Sequence, residues 1–249
     1  MAMHKLKDRP YTLMTLAVLF WAGNFILGRA FHTDIPPIAL AFWRWAVASL
    51  LIIGPAFKHL RKDRTEIIRH WPAVLLLAAL GIAAFNTLAY TGLQYTQAIN
   101  AFLIQSLMPV LIVALSYIIF RERIHALQAV GILISLCGAA AIIAHGKPQV
   151  FLSLTFNRGD LFVATAILCY AGYSVMLRKR PQVHPFSFIA ATFCIGTVAL
   201  FPLYLWEHLN VRTMPLEWLS YAVIGYVAVF PSIVSYLCFN RGVELIGAN

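Results

Sequence analysis

The sequence predicts an all-α membrane protein, a multi-pass helical bundle of two inverted five-helix repeats with the second repeat incomplete within the 249 residues. Three observations predict it. The composition is 61% hydrophobic and 11% charged, against about 45–50% and roughly 25% in ordinary soluble domains. A soluble chain of this size has too little core to hide that surface, and disordered chains lack the aliphatic and aromatic residues that abound here. The second observation is a series of apolar runs of membrane-crossing length, and the third is a sequence pattern that recurs about halfway along.

A bilayer crossing takes about 20 apolar residues. Eight segments meet that length, at 11–31, 37–57, 71–93, 98–120, 126–145, 159–177, 184–206 and 217–239. The first follows Lys5, Lys7 and Arg9, as a secretory leader would. Its apolar run is too long for one, and no small-residue cleavage site follows at Gly28-Arg29-Ala30-Phe31, so it reads as an uncleaved helix. The second carries Arg44 seven residues past Pro37, about 10 Å into the helix at 1.5 Å per residue. The third holds Asn86 and Tyr90, and the fourth Gln105 and Pro109. Gly131, Gly138, Ala140 and Ala144 make the fifth small-sided, which suits close packing within the molecule. The sixth carries Tyr170 and Tyr173, the seventh ends near Trp206, and the eighth carries Pro231 and Tyr236.

The basic residues test these spans. With the N-terminus in the cytoplasm, the inner segments hold fourteen Lys and Arg and the outer segments only Arg29, Lys147, Arg158 and Arg212. The asymmetry alternates correctly across every loop, as the positive-inside rule requires. The net charge of +10 therefore reads as topology, and no nucleic-acid partner is implied. Cys137, Cys169, Cys194 and Cys238 all lie in apolar runs without a C-x-x-C pair, so neither a disulfide framework nor a metal site is indicated.

The repeat has an offset of about 150. Trp21-Ala22-Gly23-Asn24 with Arg29 precedes Tyr170-Ala171-Gly172-Tyr173 with Arg178 by 149 residues, and Gly92-Leu93-Gln94 precedes Gly242-Val243-Glu244 by 150. A five-helix unit is odd, so its second copy enters the membrane with opposite orientation. Inverted repeats with a site between the copies are a transporter architecture. Residues 1–146 form the first repeat, and residues 147–249 hold helices six to eight and the start of a ninth.

These residues resemble the drug/metabolite transporter superfamily, in its ten-helix, EamA-type branch. The likeness is carried by Phe20-Trp21-Ala22-Gly23-Asn24-Phe25, and by Ile35-Pro36-Pro37 with Phe42-Trp43-Arg44 and Ala48. It is strongest from Gly92-Leu93-Gln94-Tyr95-Thr96 through Pro109 to Arg121-Glu122-Arg123, Gln128, Gly131 and Gly138. The resemblance implies ten helices in two inverted repeats and export of metabolites across the bacterial inner membrane. Within the family the chain is most similar to exporters of amino acids, aromatic ones included. Helices nine and ten have no counterpart here.

Polar groups at membrane depth usually face a partner or a wet cavity. Arg44 either attracts a substrate carboxylate or bonds to carbonyls of neighbouring helices. Asn24, Asn86 and Gln105 offer donors and an acceptor to a zwitterion, or bond helix to helix. Trp21, Tyr90, Tyr170, Tyr173 and Tyr236 lie away from the interfacial belts and suit an apolar or aromatic substrate, or pack. Trp43, Trp71, Trp206 and Trp218 read as interfacial anchors. Pro109 and Pro231 interrupt their helices, as hinges or as static kinks. The expected cavity is lined by helices 1, 3, 4, 6 and 8, with helix 5 outside it.

All nine acidic residues and all eight histidines fall in loops or within about a turn of helix ends. Proton-coupled carriers usually keep a titratable group inside the membrane, so a facilitative or exchange mechanism is expected. No H-E-x-x-H, G-x-S-x-G or paired carboxylates point to an enzyme, and short loops leave little surface for a scaffold. The sequence thus indicates a secondary transporter of small metabolites, most simply amino acids, with drugs or nucleoside-like compounds as the alternative cargo. Its partners are the substrate and the lipid bilayer, with no cofactor, as a monomer or weak dimer.

The topology is testable with single cysteines at Lys62 and Gln149, in a background lacking the native four. The two sites label from opposite sides of the membrane. Labelling of both by one impermeant reagent on intact cells would refute the orientation.

Overall fold

The computed structural model describes residues 9–144 and 155–247. All eight expected segments are helical: α1 (Pro10–Ala30), α2 (Pro37–Arg69), α3 (Trp71–Tyr95), α4 (Ala98–Ser106 and Met108–Phe120), α5 (Ala126–Ala144), α6 (Arg158–Lys179), α7 (Pro185–Asn210) and α8 (Trp218–Ile246). Seven are long and apolar enough to cross a membrane; in α5 the apolar stretch is the shorter Ala126–Ile142. The multi-pass all-α bundle read from composition is the observed architecture.

Two boundaries differ from the sequence reading. The stretch 58–70 is no loop, because α2 runs on unbroken to Arg69. Lys, Arg and Glu are good helix formers, so the apolar pattern ends there but the helix does not. α8 likewise continues to Ile246, which places Arg241 and Glu244 on its last turns. The 146–158 loop lies largely outside the described residues.

The chain folds by pairing elements of its two halves. α2 packs along α7, α3 along α6, and α1 along α8. The α2–α7 pair is antiparallel, and each helix caps the start of the other. Glu207, near the end of α7, accepts from the Ile38 and Ala39 amides at 3.1 and 2.6 Å. These are donors that a helix start cannot satisfy internally, and a carboxylate also suits the positive end of the helix dipole. At the opposite face Asp63 of α2 accepts from the His184 amide at 2.9 Å, just before α7 begins. At the α3–α6 crossing the backbones meet through glycine. A Cβ on Gly159 would lie 2.6 Å from the Gly92 carbonyl oxygen and 2.7 Å from the Thr96 nitrogen.

The halves also share one irregularity. α3 has a π-helical segment at Ala79–Ala84 and α8 another at Ala228–Val234, and their starts are 149 residues apart, matching the repeat offset. A π-turn widens the helix and frees a carbonyl from its usual partner. The freed oxygens here are Gly81 O, which accepts from Tyr236 Oη, and Pro231 O, which accepts from Trp21 Nε1 at 3.0 Å.

α4 leans on α6, and α5 packs chiefly on α4 at the edge of the bundle. The glycines of α5 do not mediate close packing as the sequence reading had it: an added Cβ at Gly131 or Gly138 would meet no atom within 4 Å. Trp71, Trp206 and Trp218 project outward with 61%, 57% and 78% exposure, as interfacial anchors do. Met108 and Pro109 open the second part of α4 after a turn at Leu107, so that helix is broken near its middle.

Gly159→Ala is expected to destabilise the protein by about 1–3 kcal/mol, because both contacts are backbone and cannot yield. Gly225→Ala, where nothing lies within 4 Å, is expected to be neutral or stabilising by up to about 1 kcal/mol. Thermal unfolding of the two variants in detergent checks the contrast, and equal melting points would refute the crossing geometry.

Candidate functional site

Arg44 is 1% exposed and sits between α1, α3 and α8. Its Nη1 donates to Asn86 Oδ1 at 2.7 Å, Asn24 Oδ1 at 2.9 Å and Tyr90 Oη at 3.0 Å. Nε donates to Ser232 Oγ at 2.6 Å, and Nη2 to Pro231 O at 3.1 Å. Tyr90 Oη in turn donates to Asn24 Oδ1. The Arg44 guanidinium also lies 4.6 Å from the Trp45 ring. No carboxylate of the described residues bonds to Arg44, so a buried cation is held by five neutral acceptors.

The sequence folds this way locally because of Pro231. A proline inside a helix lacks the N–H that would satisfy the preceding turn. Ser232 Oγ donates to Val227 O at 2.7 Å in its place, and its lone pairs then take Arg44 Nε. The widened turn points Pro231 O at both Arg44 and Trp21. Pro231 therefore builds an acceptor at its turn, whereas Pro109 falls at the second position of a new helical segment.

The aromatic residues gather beside this cluster. The repeat mates Trp21 and Tyr170 meet edge to face at 5.3 Å, and Tyr170 lies 5.2 Å from Tyr173 and 6.2 Å from Tyr236. Tyr170 Oη and Gln105 Oε1 are buried without a hydrogen-bond partner. Such groups carry a desolvation cost that a ligand can relieve. Tyr173 Oη is engaged elsewhere, donating to Asn240 Oδ1 at 2.9 Å.

A cavity of about 700 Å³ opens between α1, α4 and α5, with Phe239 of α8 at its edge. Its walls are mostly apolar: Val18, Trp21, Phe25, Phe102, Met108 and Ile112, with Gln105, Ser106, Gln128 and Ser135 as polar points. The sequence reading had placed α5 outside the cavity. Gln128, Gly131, Ile132 and Ser135 instead make it one wall, because α5 packs beside α4 and leaves a gap toward α1. A narrower pocket shares Trp21, Phe25, Gln105 and Met108 with the large cavity and ends on Asn24, Arg44, Phe85 and Tyr170. The large cavity and the arginine are thus joined through a constriction of aromatic side chains.

Of the nine candidate residues, Trp21, Asn24, Arg44, Gln105 and Tyr170 line these two pockets. Asn86 and Tyr90 reach Arg44 as bonding partners. Tyr173 and Tyr236 stand behind the aromatic cluster and bond to Asn240 and Gly81. Sequence reasoning missed Ser232, Trp45, Phe25 and Met108. Ser232 carried a signal, a hydroxyl directly after a mid-helix proline; the apolar three carried none that separates them from lipid-facing neighbours.

Comparison with known proteins gives this geometry its context. A solved crystal structure superposes with a TM-score of 0.69 over 94% of this chain and 79% of the other, at 19% identity, which shows a shared fold. The transporter YyaM of Bacillus subtilis is 28% identical over 242 residues, covering 96% of this chain and 79% of that protein. An Archaeoglobus fulgidus transporter is 25% identical over 236 residues, covering 93% and 79%. The Escherichia coli inner membrane transporter YhbE is 27% identical over 196 residues, covering 76% and 60%. The first two relatives are described only as uncharacterized transporters, and so is YhbE. The model of the EamA-like transporter family matches residues 9–144 and 157–249, nearly all of the chain and both of its halves. By that match the protein is a membrane transporter and not an enzyme, and the chain belongs to the EamA-like transporter family.

Proposed function

We propose that the protein is a secondary transporter of zwitterionic amino acids with apolar or aromatic side chains, exporting them from the cytoplasm by alternating access. The observation that carries this reading is the buried Arg44, to which no carboxylate of the described residues bonds. A substrate carboxylate that displaces one neutral acceptor would supply the missing negative charge, and opposite charges attract far more strongly in a buried site than in water. Gln105 Oε1 has no partner and suits an ammonium. Trp21, Phe25, Phe85 and Tyr170 bound the narrow pocket and suit a hydrophobic side chain.

In this reading the two inverted halves divide between residues 146 and 147. The side carrying the start of α1 is cytoplasmic, and the membrane is the bacterial inner membrane, as for the relative YhbE. The aromatic constriction between the large cavity and Arg44 is the barrier that opens in one phase of the cycle. Guanidinium stays protonated at any physiological pH, and no Asp, Glu or His of the described residues bonds within the cluster. Transport therefore follows the substrate gradient and persists when the proton gradient is collapsed.

Counterflow of a labelled amino-acid panel in proteoliposomes tests the proposal. Uptake of phenylalanine or leucine is expected, with and without protonophore. Arg44→Gln and Gln105→Leu each lower the initial rate by roughly ten- to hundredfold, the size of one charged hydrogen bond. Leu133→Ala, on the outer side of α5 with Leu133 61% exposed, leaves it unchanged. Movement of a nucleoside or a cationic drug with no amino acid moved would overturn the substrate class. Concentrative uptake driven by a pH step alone would overturn the energetics.

A further inference from the structure

α2 is longer than a membrane crossing needs. At 1.5 Å per residue, the stretch from Pro37 to Phe57 already covers the roughly 30 Å of bilayer hydrocarbon, yet the helix runs on to Arg69. Two other helices begin beside this extension. The His59 ring stacks on that of His184 at 3.6 Å, and Asp63 accepts from the His184 amide, just before α7 starts at Pro185. α3 starts at Trp71, after His70 alone. Residues 58–69 therefore lie where two neighbouring helices enter the apolar layer, which is headgroup depth.

The extension carries two outward stripes. Phe57, Arg61, Arg64 and Ile68 follow one another at helical spacing, and Lys58, Lys62, Thr65 and Arg69 form the stripe beside them. All eight are exposed, Phe57 at 57% and Ile68 at 56%. The inward face is different: His59 and Asp63 meet His184, and Leu60 packs on the core. None of the five cations has a side-chain hydrogen bond or an ion pair with the described residues. Asp63 and Glu66 fall off both stripes and are engaged elsewhere, Asp63 by the His184 amide and Glu66 by His70 at 3.1 Å.

We propose that residues 57–69 of α2 form a binding surface for anionic phospholipid headgroups, with Arg61 and Arg64 on the phosphates and Phe57 and Ile68 against the upper acyl chains. Clustered Lys and Arg next to a membrane-crossing helix attract anionic lipid, and the planar guanidinium fork matches phosphate oxygens. An acidic protein would satisfy the cations alone. The exposed Phe57 and Ile68 at either end of the arginine pair favour lipid, which offers acyl chains beside its phosphate. Headgroups line both faces of a bilayer, so the surface needs no particular orientation. It also stands whether or not Arg44 binds substrate.

The test uses the full chain with its four cysteines replaced, in nanodiscs, with Ile68→Cys carrying a bimane fluorophore. Brominated phosphatidylglycerol and brominated phosphatidylcholine serve as quenching probes at equal mole fraction. The anionic lipid is expected to quench at least about threefold more, and raising salt to about 0.5 M weakens that preference by screening. Arg61→Gln with Arg64→Gln removes the preference, while Arg61→Lys with Arg64→Lys retains most of it. If the glutamine pair fails to fold, the salt series on the unsubstituted segment and the lysine pair carry the comparison. Equal quenching by the two lipids overturns the proposal. So does an equal loss with Arg121→Gln and Arg123→Gln, which would make the attraction a general property of that face. Inorganic phosphate that abolishes the preference at constant ionic strength assigns the surface to a free anion and also overturns it. Absence of quenching by either lipid shows that the segment stands clear of the membrane, which refutes lipid binding and leaves the cations to an acidic protein.

Discussion

A buried charge held by neutral groups governs the centre of this bundle. Moving a guanidinium out of water carries a penalty of several kcal/mol after relaxation, and no carboxylate of the described residues bonds to it to offset that. Arg44 is tolerated because five neutral acceptors converge on it from α1, α3 and α8. Those acceptors are themselves positioned by irregular backbone: Pro231 O is freed by a π-segment, and Ser232 is oriented by the carbonyl that Pro231 leaves unsatisfied. Removing any one element leaves either a buried cation or a buried acceptor unpaired, so the helices that carry them are mutually dependent.

The two halves hold each other together at their ends as well as at their centre. Glu207 satisfies the start of α2, and Asp63 the amide that leads into α7. Gly159 lets α6 approach the end of α3, while Gly242 at the end of α8 faces Met14 of α1, where a Cβ would come within 2.8 Å of the methionine methyl. In lipid there is no hydrophobic drive between helices, so close approach and polar contacts must do this work. Acidic residues that would be candidates for proton coupling are consumed by it: Glu207 is 3% exposed because it caps a helix, and Asp160 is equally buried because it closes the first turn of α6 with Asn157.

The edge of the bundle is different. α4 is broken at Leu107, and α5 makes few internal contacts, so the large cavity lies where packing is thinnest. Low contact density is where a fold can open at small cost. The centre, in contrast, is dense with aromatic rings around Trp21, Tyr170 and Tyr236.

Much of this was legible without coordinates. Composition and run length determined the medium and the eight helices, because lipid leaves a chain few ways to satisfy its backbone. The depth of Arg44 in an apolar run was equally visible, since a charge there is costly in any arrangement. Where helices end was not: α2 and α8 outrun their apolar segments, because hydropathy reports the membrane and helix propensity does not stop at its surface. The role of α5 was misjudged for a related reason, as small residues permit close packing but do not choose a neighbour. Only the tertiary structure decided that Arg44 bonds to three other helices at once, that Gln105 Oε1 and Tyr170 Oη are left without hydrogen-bond partners, and that Tyr173 pairs with Asn240. Those facts depend on residues some 20 to 190 positions apart being brought within 3 or so Å by two π-turns and the pairing of opposite halves, and no local pattern encodes a distance of that kind.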